Sequence, residues 1–179
     1  MPPPCQNFRP RSGLCHFSIH RSHRVGADSF LAHQHIPWPT IFQFSQYGDP
    51  TRFVQGASHY GQHNFTQHQA CSWMAVDLKR QLIPSHYCLR SDAYSGHKMR
   101  HWRLEGSNDG SSWTTLREHS NDTALGGDAF SVAHWPLPDV ATAYRHFRIY
   151  QTGKNSSTNH QLTCSGIELY GVLLGADAE

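Results

Sequence analysis

The sequence predicts an all-β domain, an antiparallel β-sandwich of jelly-roll type, behind an irregular N-terminal extension. Two observations point there. From about Phe53 onward, short apolar runs alternate with clusters of turn-forming residues at roughly ten-residue spacing. Every readable segment after residue 70 has a period of two, and no long amphipathic helix interrupts it.

The elements follow in order. Ser72 to Leu78 reads as a strand with Met74, Val76 and Leu78 on one face and Trp73 and Ala75 on the other. His86 to Arg90 is a second, with Tyr87 and Leu89 sharing a face. Arg100 to Gly106 is a third, with Trp102 and Leu104 inward. Ser107-Asn108-Asp109-Gly110 is a turn signal because Asn, Asp and Gly tolerate positive φ, and Trp113 to Glu118 returns as the hairpin partner. Phe130 to Trp135, Tyr144 to Gln151 and Gly166 to Leu174 complete the set. Trp73, Trp102 and Trp113 are expected in the core, with Trp135 near an end loop. Residues 1–50 are assigned to the extension, where prolines 2–4, 10, 37 and 39 interrupt any helix, and residues 51–175 to the sandwich.

Composition narrows function. A formal charge of +2 gives no basic field, which argues against nucleic acid as a partner. No apolar run approaches the ~20 residues of a membrane span, and the N-terminus lacks a secretory h-region. The expected location is intracellular and cytoplasmic. Because Arg9, Arg11, Arg21 and Arg24 precede the first acidic residue, Asp28, an organellar or mitochondrial transit segment is the alternative. Five cysteines at irregular spacing form no CxxC pair, and Cys88 reads as a small buried hydrophobe. The 15 histidines include the His33/His35 pair and His59, His63 and His68, but no HExxH. No G-x-S-x-G elbow is present. No catalytic residue, metal ligand or cofactor is therefore assigned. A metal-dependent hydrolase using loop histidines ranks last among the readings.

Four segments then carry a resemblance. Trp73-Met74-Ala75-Val76-Asp77-Leu78, Trp102 to Trp113 with its Ser107-Asn108-Asp109-Gly110 turn, Tyr144 to Ile149, and Ser165 to Gly171 occur in the order of the discoidin (coagulation factor V/VIII type C) motifs. Lys79 stands where many members of that family have Gly. The chain resembles most the intracellular members attached to ubiquitin ligases and BTB proteins. The resemblance implies a galactose-binding-like jelly roll that binds a ligand through loops at one end and is not an enzyme. Some members hold calcium. Here Asp49 is the only carboxylate between Asp28 and Asp77, which speaks against such a site.

In the carbohydrate-binding members, the loop after the second strand helps to hold sugar. Its counterpart, residues 91–99, is flanked by Arg90 and Arg100 and contains Asp92, Tyr94 and His97. Fork-shaped donors, an aromatic platform and a carboxylate suit a sugar, and equally a peptide carboxylate. An internal Arg90–Asp92 pair is the structural alternative. Tyr60 and His63 lie where the family places exposed loops. The polar segment 151–160 reads chiefly as a self-capped turn. The expected ligand is a protein or peptide, with carbohydrate as the rival.

Overall fold

The computed structural model describes residues 19–21, 40–43, 65–93 and 96–174, the first two stretches by backbone pairing alone. Eight strands and no helix make up these residues: β1 (Ile19–Arg21), β2 (Thr40–Gln43), β3 (Trp73–Arg90), β4 (Trp102–Ser107), β5 (Thr114–His119), β6 (Val132–Pro136), β7 (Tyr144–Gln151) and β8 (Gly166–Leu173).

Strand β3 organises the molecule. Its first half pairs with β2 and β7, and its second half with β8 and β6. One layer is therefore β2-β3-β7-β4-β5 and the other β1-β8-β3-β6. All pairs are antiparallel except β1 with β8. The two strands expected at Ser72–Leu78 and His86–Arg90 are thus one bent strand. The bend takes up two register shifts, between Asp77 and Leu82 against β7 and between Pro84 and His86 against β8. Lys79 sits in the first with φ of 60°. Left-handed backbone is glycine's territory, a physical reason for the glycine that the motif this strand resembles often carries here. Asp77 steadies the bend by accepting the Lys79 amide at 2.8 Å.

Period two then fills the core. Met74, Val76, Tyr87, Leu89, Trp102, Leu104, Phe147, Ile149, Ile167 and Leu169 face inward and are 0–2% exposed. Burying a side chain of this size contributes roughly 1.5–3 kcal/mol. The tryptophan expectations need correction. Trp102 is fully buried, and Trp135, expected near an end loop, belongs to the core. Trp73 and Trp113 are only half-buried and flank the Arg148 guanidinium, 6.0 and 4.2 Å from the respective ring centres. Glu105 orients that guanidinium, accepting from its Nε at 2.5 Å. Cys88 is buried as expected but disulfide-bonded rather than a free thiol.

The hairpin turn forms as the sequence indicates. Gly110 has φ of 73°, and Asp109 Oδ1 accepts the amides of Ser111 and Ser112 at 2.8 and 2.7 Å.

Candidate functional site: the loop end of the sandwich

The loops following β3, β5 and β7, together with residues 65–72, converge at one end. Backbone hydrogen bonds fasten them: Ser91 to Ser131 (2.8 Å), Asp122 to Arg100 (2.9 Å), Thr152 to His101 (3.1 Å), Ser156 to Lys98 (2.9 Å) and Thr66 to Leu162 (3.0 Å).

Two side chains build the interior of this end. Lys98 is 1% exposed, and its ammonium donates to Ser91 Oγ at 2.8 Å and the Asp128 carbonyl at 2.6 Å. Burial lowers its pKa, while the charges of Asp92 and Asp128 oppose that shift. Asn155 caps its own loop. Its Oδ1 accepts the Ser157 amide at 2.9 Å, and its Nδ2 donates to Asn159 Oδ1 at 2.6 Å and the Gln161 carbonyl at 3.0 Å. The self-capping expected for segment 151–160 is what holds it.

The sequence candidates divide. Arg90 is 3% exposed, and its guanidinium donates to Ser165 Oγ at 2.9 Å and the Ser165 carbonyl at 3.0 Å. Asp92 is 1% exposed and accepts the Ala93 amide at 2.6 Å. Both are framework beneath the loops. Half-exposed Arg100 reaches the carbonyls of Asp122 and Leu125 at 3.2 and 3.3 Å, fixing one loop to another. His97 lies at the surface edge, its Nδ1 accepting from Asn159 Nδ2 at 3.2 Å. Tyr94, Tyr60 and His63 lie outside the described residues.

Other surface groups at this end are His101, not picked out from the sequence, and Asn159 and His160, which fall in the 151–160 segment read chiefly as a self-capped turn. His101 packs on Gly153, where a Cβ would come within 2.8 Å of it, and its Nδ1 accepts the Asn121 amide at 3.2 Å. His160 stacks on His68 with ring centres 6.1 Å apart. The only foretaste of this in the sequence is the density of histidine, because the contacts join residues from separate loops. Among the described residues, no trio of His, Cys, Asp and Glu is placed to hold a metal ion. Cys164 is fully buried, and burial pushes its thiol up to about 12, so it is no nucleophile at neutral pH.

No protein-family profile matches the chain. Curated relatives do. The chain is 43% identical over 109 residues to the E3 ubiquitin-protein ligase Ufd4 of Drosophila melanogaster, which covers 58% of this chain and 4% of the ligase. It is 36% identical over 106 residues to the BTB/POZ domain-containing protein At2g30600 of Arabidopsis thaliana, covering 56% of this chain and 13% of that protein. The chain thus spans a small fraction of the relatives it matches. Among solved structures, the fucolectin from striped bass (Morone saxatilis) serum superposes with a TM-score of 0.62 at 13% identity, over 76% of this chain and 46% of that one. That likeness is one of fold.

Proposed function

Since this chain carries a discoidin-like domain of galactose-binding-like fold, we propose that it is a non-catalytic recognition module. It captures a protein or peptide through the loop end, within a ubiquitin-ligase-like assembly. The observation that carries this reading is the construction of that end: loops pinned from beneath by Lys98, Asn155 and Arg90 hold polar and aromatic surface groups in fixed positions. Preorganised donors lose little entropy on binding. The likeness to a segment of a ubiquitin ligase supports the kind of assembly. His97 and Arg100 are proposed as contacts at this end, with Arg90 and Asp92 acting from below, and Tyr94, Tyr60 and His63 are proposed as contacts from the sequence alone.

The test is affinity capture from cell extract with the full chain, comparing wild type with His97→Ala and Tyr94→Ala. Mixed monosaccharides are added in excess to a parallel set. A partner that survives the sugars and is lost from either variant, at unchanged melting temperature, is the expected result. Equal retention by wild type and both variants overturns the site.

Carbohydrate is the second reading, favoured by the lectin fold of the fucolectin neighbour. Glycoproteins released by a single sugar would establish it in place of the peptide reading.

A further inference from the structure

Beneath the loop end, a chain of hydrogen bonds crosses the core. Trp102 Nε1, on β4, donates to the Tyr87 hydroxyl of β3 at 3.2 Å. Tyr87 lies 2.7 Å from His119 Nε2, on β5. His119 Nδ1 lies 2.7 Å from Asp122 Oδ2, which also accepts from Trp135 Nε1 of β6 at 3.0 Å.

An indole nitrogen can only donate and the ionised Asp122 carboxylate can only accept, which fixes the protons of a neutral His119. The Tyr87 oxygen accepts from Trp102, its own proton goes to His119 Nε2, and His119 is the neutral Nδ1–H tautomer donating to Asp122. The imidazole cannot easily move aside. It is 5% exposed, stacked on Trp102 at 4.1 Å and edge-on to Trp135 at 5.0 Å.

Asp122 is also the pin of the 120–131 loop. Its amide donates to the Arg100 carbonyl at 2.9 Å, its carbonyl accepts from Arg100 at 3.2 Å, and its Oδ1 accepts the Ala124 amide at 2.8 Å.

We propose that His119 is a proton-operated lock: neutral, it holds Asp122 and the 120–131 loop against the aromatic core, and protonated, it releases them. A proton on Nε2 would deprive the buried Tyr87 hydroxyl proton of its acceptor, leaving an unsatisfied donor in the core. That orphaned donor and the burial of the cation favour a ring displaced from Tyr87, and Asp122, hydrogen-bonded to it, moves with it. The charged and titratable groups around the imidazole are few. Asp122 favours the cation, and Arg117 on its own strand opposes it. Tyr87 stays neutral because burial raises its pKa, as does nearby Cys164. Burial outweighs Asp122, so His119 is held below its usual range. Its contribution to stability is therefore complete above about pH 6.5 and is lost as pH falls below that value toward the folded pKa.

The test uses the full chain without any ligand, so it stands apart from the recognition reading. Nitrogen NMR of His119 and thermal melts are followed from pH 8 to pH 5 for wild type, His119→Gln and Tyr87→Phe. Gln keeps a donor for Asp122 and an acceptor for Tyr87 but cannot titrate. The expected result is a lone Nδ1–H tautomer at pH 8 and a fall in melting temperature with acid that is smaller in His119→Gln. In Tyr87→Phe, the hydroxyl that donates to neutral Nε2 is gone, so His119 gains proton affinity about tenfold, or about one pH unit. Equal acid sensitivity in wild type and His119→Gln overturns the lock. If the Gln variant does not fold, an unchanged His119 titration in Tyr87→Phe overturns it instead.

Discussion

Asp77 shows how much one residue can do where a strand changes sheets. It is 1% exposed, yet its carboxylate accepts from Arg145 Nε and Nη2, both at 2.7 Å, from Lys79 Nζ at 2.7 Å and from the Lys79 amide. Burial alone would raise its pKa, but these donors hold the carboxyl well below the usual range. Its stabilising effect is present above the ordinary carboxyl value near 4 and disappears as pH falls below it. Asp77→Asn should cost about 2 kcal/mol at neutral pH, since bonds to a charged acceptor contribute roughly 1.5–3 kcal/mol each and both cations are partly solvated. Urea titrations at pH 7 and pH 3.5 check this: the gap between wild type and variant should narrow at the lower pH. At neighbouring Lys79, left-handed backbone costs a non-glycine residue roughly 1 kcal/mol. Its partly exposed ion pair with Asp77 is worth about 0.5 kcal/mol. Lys79→Gly should therefore lie close to wild type, and Lys79→Ala should be about 1 kcal/mol less stable than Lys79→Gly. Equal melting temperatures for the two variants would count against strain at this position.

The elements were legible in the sequence wherever alternation ran unbroken. Tyr144–Gln151 and Gly166–Leu173 fall where period two puts them, because each has a core on one side and a different environment on the other. Two elements were misread. The sequence reading ended one strand at Leu78 and began the next at His86, but the chain stays extended through Lys79 to Ser85 by bulging. Trp73 and Trp113 were assigned to the core by size, although alternation already set Trp73 opposite Met74; the outer face accepts them because Arg148 lies against both rings. At the loop end, Arg90 and Asp92 had the right chemistry for a ligand, but their burial depends on loops closing over strand ends, which no local pattern reveals. The bulge in β3 also carries a prediction. Gly171 on β8 lies so close to the Ile83 carbonyl that a Cβ there would drive into backbone, which cannot give way as a flexible side chain can. Gly171→Ala should cost about 2–3 kcal/mol, the upper range for overpacking, whereas Gly127→Ala, which meets nothing within 4 Å, should be nearly silent. Chemical denaturation of both variants compares the two positions directly.

For the molecule as a whole, β3 decides whether the sandwich has one stability or two. In a sandwich of two independent sheets, each layer could open by itself. Here the 18 residues of β3 belong to both layers, with Val76 paired to Phe147 in one and Tyr87 paired to Leu169 in the other. Opening either layer strips hydrogen bonds from the strand that anchors its opposite. The aromatic core adds a second tie, since Tyr87, Trp102, His119 and Trp135 come from β3, β4, β5 and β6 and pack on one another. Cooperative units of this kind open together. The amides of Phe147 and Leu169, both on fully buried residues of central strands, should therefore exchange with solvent at the same free energy. Amides on β5, which among the described residues pairs only with β4, should exchange through cheaper local opening. Native-state hydrogen exchange in rising denaturant measures this. Convergence of Phe147 and Leu169 on the global unfolding free energy is the expected pattern. A gap of more than about 1 kcal/mol between them would mean that β3 bends without coupling its two halves, and that the layers hold separately.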